Sequence, residues 1–184
     1  MGKSGAKKYL QQYESGDPCL SWVEPECLSA PQYEELCVQI GRVLFLFNSV
    51  ESSLDYHIAD MISDRSRIPG YVITSELNSF AKKVAVFKTL IGLMSDSLPK
   101  KTITLHASLV KKLFQLKDVR NDVAHANWMS ANADYEVRLR LGTDEKGVYA
   151  ITKQLSPDYL ETKIEEMEKV LEAMELLSMQ LSEK

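Results

Sequence analysis

Leu113–Trp128 reads LFQLKDVRNDVAHANW, and the spacing of its apolar residues decides the fold. Leu105, Leu109, Leu113, Leu116, Val119 and Val123 recur at steps of three and four, which gathers them into one stripe along a helix. Arg120, Asn121 and His125 fall off that stripe. At roughly 100° per residue Asn121 and His125 lie about 40° apart, and Arg120 about 100° round from Asn121. A guanidinium, a carboxamide and an imidazole therefore face away from the core near a helix end. The same residues also suit a plain helix terminus, because basic side chains in a last turn gain roughly 0.3–1 kcal/mol each from the macrodipole.

Outward from this helix the pattern stays helical. Pro31-Gln32-Tyr33 opens a long first helix, with Leu36, Ile40, Val43, Phe47, Val50, Leu54, Ile58 and Met61 in phase and Ile68-Pro69-Gly70 as its stop. A second runs from a Thr74 or Ser75 cap to Asp96, with Leu77, Phe80, Val84, Phe87 and Ile91 as its stripe and Leu98-Pro99 as the break. The third starts at Thr102 or Thr104 and runs to Asn127. Tyr135–Leu141 then alternates with period two, Gly142–Gly147 is a turn and Val148–Leu155 returns, which predicts a β-hairpin. Ser156-Pro157-Asp158 caps a last helix. The expectation is an all-α fold: an up-and-down four-helix bundle over residues 32–184, with a β-hairpin inserted before the last helix. Residues 1–31 read as a loosely ordered lead-in with one short helical turn near Lys7–Glu14, pinned by Trp22 and Val23.

Arg120-Asn121-Asp122-Val123-Ala124-His125 resembles the R-(polar)-x-x-x-H signature of HEPN domains. The resemblance implies a helical bundle with its motif late in the third main helix, covering Tyr33–Lys184. It also implies a homodimer, and in many members a metal-independent ribonuclease, in which Arg120, Asn121 and His125 are the catalytic residues. A toxin or defence role, with an antitoxin or defence-system partner protein, belongs to the same resemblance. Family members silenced by a nucleotidyltransferase carry a modifiable Tyr two residues after the His; here Asn127 stands at that place.

The chemistry suits the residues. Attack of a ribose 2′-hydroxyl on its own phosphodiester needs a group that moves protons near neutral pH, which fits His125. It needs donors and fixed positive charge on the developing phosphorane, which fits Arg120 and Asn121. Arg120 and His125 are about 140° apart on one helix, and a two-fold dimer would bring two motifs into one cleft. From the residues alone, a non-catalytic dimeric module binding RNA, a nucleotide or a protein partner stays open.

Composition bounds the rest. A 184-residue chain with 45% hydrophobic and 26% charged residues can bury a core of its own. The net charge of −4 gives no global basic field. Between Lys82 and Arg120, however, bases far outnumber acids, while acids dominate from Asp158 onward. The middle could face phosphate; two solvated helix faces of opposite sign explain the pattern equally. Cys19, Cys27 and Cys37 lack C-x-x-C spacing, which points to a reducing compartment. No apolar run reaches spanning length and Met1–Lys8 has no apolar signal core, so a cytoplasmic location away from membranes is expected.

Other constellations are weaker. Asn48, Glu51 and Asp55 step along the border of the first helix's stripe, where acids need partners. Glu51 is placed to support Arg120 or His125, with Asp55 beside it, although a half-exposed polar seam explains both. His57, Asp60 and Asp64 share a face at ligand spacing, but no second helix offers the matching carboxylate pattern, so no metal and no cofactor is implied. His106 reads as a surface residue. Lys117, Trp128, Arg138 and Arg140 are candidates for RNA contact, the two arginines alternating to one face of the hairpin. Packing explains Trp128 as well, and protection of a strand edge explains the arginines. No G-x-S-x-G, glycine-rich phosphate loop or H-E-x-x-H is present.

Overall fold

The computed structural model describes residues 6–9, 30–62, 66–126, 128 and 136–182. The described chain is mostly helical. α1 spans Ala30–Ile62, α2 Ile68–Glu76, α3 Phe80–Leu93, α4 Lys100–His125 and α5 Pro157–Ser182, with a 3-10 turn at Ser95–Ser97. Three strands, β1 (Ala6–Tyr9), β2 (Glu136–Asp144) and β3 (Gly147–Gln154), form one antiparallel sheet in the order β1-β3-β2. The chain divides into two compact units, one of residues Met1–Val43 and Asn121–Thr162 and one of Leu44–Arg120 and Lys163–Lys184.

The second unit holds the larger core. Phe47, Val50, Leu54 and Ile58 of α1, Phe80, Val84, Phe87 and Ile91 of α3, Leu109, Leu113 and Leu116 of α4, and Ile164, Met167, Val170, Met174 and Leu177 of α5 are all buried. Those of α1, α3 and α4 belong to the predicted stripes, and Phe47 and Phe80 meet at 4.6 Å between ring centroids. Polar ties lock the helices together: the Thr102 hydroxyl of α4 donates to Gln180 Oε1 of α5 at 2.8 Å. His57 is buried, with Nδ1 2.6 Å from the Ser53 carbonyl oxygen and Nε2 3.0 Å from that of Met174.

α2 is the helix that the apolar pattern conceals. It buries Gly70 and Thr74 and turns Ile68, Tyr71, Val72 and Ile73 outward. Its inner face is small because α1 is very near: a β-carbon on Gly70 would stand 2.3 Å from the Ala59 Cα. Ile68-Pro69-Gly70 therefore begins a helix instead of ending one, since Pro in a first turn gives up an N–H that had no helical partner. Thr74 and Ser75 are inside this helix, their hydroxyls donating to the Tyr71 and Val72 carbonyls. The cap of α3 is Ser79, whose Oγ accepts from the Lys82 N–H at 3.3 Å. His106 is likewise corrected: it is 6% exposed, its ring 5.0 Å from that of Phe87.

The first unit is built on the sheet. The β2–β3 hairpin stands before α5 as predicted, but its strands run closer together, leaving Glu145 and Lys146 as the turn. The Lys146 N–H donates to Asp144 Oδ1, and Gly147 follows at φ 119°, a conformation open to glycine. Lys7–Tyr9, read as part of a helical turn near Lys7–Glu14, instead join Ala6 in a third strand against β3; Ala30 and Pro31 already belong to α1, and the rest of the lead-in, Trp22 and Val23 included, lies outside the described residues. A bulge falls between Arg138 and Arg140, which oppose Thr152 and Ile151. At the far end of the hairpin, Ser156 caps α5 by accepting from the Tyr159 N–H at 3.2 Å.

Candidate functional site

α4 ends on His125 itself, two residues short of the predicted end. Along the helix the exposed positions include Phe114, Asp118, Asn121, Ala124 and His125, while Val119 and Val123 are buried. Asn121 and His125 are thus one turn apart on an exposed face, as the spacing implies. Arg120 is half-buried, its Cζ 6.0 Å from the centroid of the Phe47 ring, so its stem and guanidinium lie along α1 of the second unit.

The carboxylates of α1 meet a cation that the sequence reading did not name. Lys83 of α3 reaches Glu51 Oε1 and Asp55 Oδ2, each at 2.8 Å. Its side chain is 11% exposed, against 31% and 23% for the two acids. Burial alone would lower the Lys83 pKa; hydrogen bonds to Asp55 and Glu51 outweigh it and hold the ammonium above the ordinary lysine value. Asp55 Oδ1 is buried with no hydrogen-bond partner. The signal was present in the sequence: Lys83 sits beside Val84 and three residues after Phe80, at the edge of an apolar stripe that faces α1.

In the first unit, Asp122, inside the motif but off the candidate list, pairs with Lys153 of β3. Lys153 Nζ also lies 5.4 Å from the Tyr159 ring centroid. Burial lowers its pKa and the Asp122 hydrogen bond, with Tyr159, raises it further, so it stands above the usual lysine value. Trp128 packs against the buried Val137 and Leu155 together with Ala126 and Tyr159, and its indole N–H donates to the Val123 carbonyl at 3.0 Å. That carbonyl is one of the last four of α4, which no helical N–H reaches. The indole therefore closes the helix end.

The remaining candidates are scattered or committed. Lys117 Nζ lies 3.2 Å from Asp118 Oδ1 and 5.9 Å from the Phe114 ring centroid. Arg138 and Arg140 are placed by backbone register alone. Asn127, where the family's modifiable Tyr would stand, and Asp64 lie outside the described residues. Both nitrogens of His57 face carbonyl oxygens, and Asp60 accepts from Arg67 Nε at 2.8 Å. Among the described residues, no group of three or more His, Cys, Asp or Glu stands together to hold a metal ion. No described helix is long and apolar enough to cross a membrane.

Comparison with protein-family models, with curated proteins and with solved structures finds no match. Any functional reading rests on the residues.

Proposed function

We propose that this chain is a HEPN-type four-helix bundle that acts as a metal-independent endoribonuclease and works as a homodimer. The observation that carries the reading is the pairing of exposed Asn121 with exposed His125 one turn apart on α4, directly after Arg120. A core-facing stripe explains Val119 and Val123 but not why a carboxamide and an imidazole share the opposite face of a closing helix.

In the proposed reaction the ribose 2′-hydroxyl attacks the adjacent phosphorus. The 2′ oxygen–phosphorus bond forms, the bond from phosphorus to the 5′ oxygen breaks, and the products are a 2′,3′-cyclic phosphate and a free 5′-hydroxyl. His125 takes the 2′-hydroxyl proton, or supplies the one that the leaving oxygen needs. Arg120 and Asn121 donate to the phosphorane oxygens. The second copy contributes the other His125, so that one imidazole accepts and the other donates. A toxin or defence role, with an antitoxin or defence-system protein as partner, follows from the same resemblance.

The test is end chemistry. Purified protein incubated with mixed-sequence RNA in excess EDTA is expected to give fragments ending in 2′,3′-cyclic phosphate and beginning with 5′-hydroxyl. Cleavage only after Mg²⁺ is added, or 3′-hydroxyl ends, would contradict the mechanism.

A further inference from the structure

α4, the helix that ends on His125, carries five lysines and no acid from Lys100 to Lys117. At roughly 100° per residue Lys100 and Lys111 fall within about 20° of each other around the helix, and Phe114 within about 60° of Lys111. These three are exposed, as are Thr104, Ala107 and Ser108. Phe114 is 36% exposed, a phenyl ring at the surface among cations, and Lys117 Nζ stands 5.9 Å from its centroid. All of these residues belong to the second unit.

The fold makes no use of this charge. Elsewhere cations answer acids: Arg42 pairs with Glu161, Arg67 with Asp60, Lys83 with Glu51 and Asp55, Lys153 with Asp122 and Lys163 with Glu166. Lys100, Lys101, Lys111 and Lys112 make no ion pair among the described residues, and Lys117 pairs with its neighbour Asp118. Helix propensity does not ask for them, because glutamate serves as well and fills the exposed face of α5 at Glu165, Glu168, Glu172 and Glu175. Lys100 and Lys101 even stand in the first turn of α4, where the positive end of the helix dipole disfavours cations. In a chain of net charge −4, such a run favours an anionic partner.

We propose that this face of α4 is a contact surface for single-stranded RNA, on which Phe114 stacks a base while Lys100 and Lys111 meet backbone phosphates. An aromatic ring set among ammonium groups matches a strand in which bases alternate with phosphates, and stacking accepts any base because each has a π-face. Lys101 and Lys112, each about 100° round from Lys100 and Lys111, widen the positive field. The inference rests on RNA being the ligand, as proposed above, and not on the chemistry of the motif.

The probe is a fluorescein-labelled RNA of about 12 nucleotides, within the usual range of single-strand footprints, with 2′-O-methyl groups throughout so that it cannot be cut. Binding is therefore read separately from cleavage of ordinary RNA in EDTA, and either can fail alone. Anisotropy titrations at several salt concentrations compare wild type, Phe114→Ala, Phe114→Tyr and the double variant Lys100→Gln with Lys111→Gln. Each lysine that neutralises a single-strand phosphate contributes about 0.7 to the slope of log affinity against log salt, so the double variant is expected to lower that slope by about 1.4. Phe114→Ala is expected to bind about tenfold more weakly at an unchanged slope, and Phe114→Tyr, which keeps the aromatic face, to bind as wild type does. Should Phe114→Ala not fold, Phe114→Leu keeps an apolar side chain and removes the π-face. Wild-type affinity in the folded Ala or Leu variant, or a wild-type slope in the double lysine variant, would overturn the proposal. So would salt-sensitive self-association without RNA binding, which would assign the lysines to the acidic face of a second copy.

Discussion

Gly70 of α2 and Ala59 of α1 approach so closely that a β-carbon on Gly70 would lie 2.3 Å from the Ala59 Cα and 2.7 Å from its carbonyl oxygen. Both of those atoms are backbone and have nowhere to go. Gly70→Ala is expected to push α2 off α1 and cost about 1–3 kcal/mol, as overpacking does. Gly92→Ala in α3, where nothing lies within 4 Å of the new carbon, should instead add about 0.5–1 kcal/mol through helix propensity. Chemical denaturation of the two variants beside wild type checks both signs.

His106 predicts how stability depends on acid. Burial, reinforced by Lys88 and opposed by a hydrogen bond with the Phe87 backbone, holds its pKa below the ordinary value of 6.5. Its Nε2 is buried without a hydrogen-bond partner. The folded state therefore prefers the neutral ring. The contribution to stability is fully present above pH 6.5 and is lost as pH falls below it through the folded-state value. Denaturation midpoints measured from pH 7.5 downward should decline more steeply for wild type than for His106→Gln. Parallel curves would contradict this.

The helices that bury large residues at regular steps were legible in the sequence, because periodic burial is what their composition encodes. α2 was not, because its buried face is Gly70 and Thr74 while its large residues face out. Ile68-Pro69-Gly70 fits a helix start as well as a helix stop, because proline is tolerated in a first turn. β1 was hidden for a different reason: strand pairing across some 140 residues leaves no local trace in Ala6–Tyr9. At the site, the positions of Asn121 and His125 followed from helix geometry alone. Lys83 showed there only as a base at the edge of an apolar stripe and Lys153 not at all, since which cation answers an acid depends on the packing of other elements.

Lys153 couples the sheet to the end of α4. Its side chain and that of Asp122 are 20% and 24% exposed, between the surface case, worth little, and the buried case, where one unpaired charge is costly. Lys153→Met is expected to destabilise the first unit by roughly 1–3 kcal/mol. Amide hydrogen exchange should quicken along β3 and the last turn of α4. Unchanged protection there would show that the pair does not anchor the sheet.

The homodimer is tested by proximity. With Cys19, Cys27 and Cys37 replaced by Ser, His125→Cys should form a disulfide-linked dimer under mild oxidation at micromolar concentration, since linked α-carbons must come within about 7 Å. A chain that stays monomeric in light scattering and is not crosslinked would contradict a shared cleft.

The central claim is that His125 and Arg120 perform RNA cleavage, and one assay tests it most directly: fragment yield from labelled RNA in EDTA for wild type, His125→Ala and Arg120→Lys. Lysine retains the charge and the stem along Phe47 but loses the planar fork. General acid–base help contributes typically about 10²–10⁴-fold, and a lost donor to developing charge costs about 10²–10³-fold. Both variants are expected to fall by at least about a hundredfold while keeping the wild-type circular dichroism and denaturation midpoint. Cleavage by His125→Ala at the wild-type rate would contradict the account.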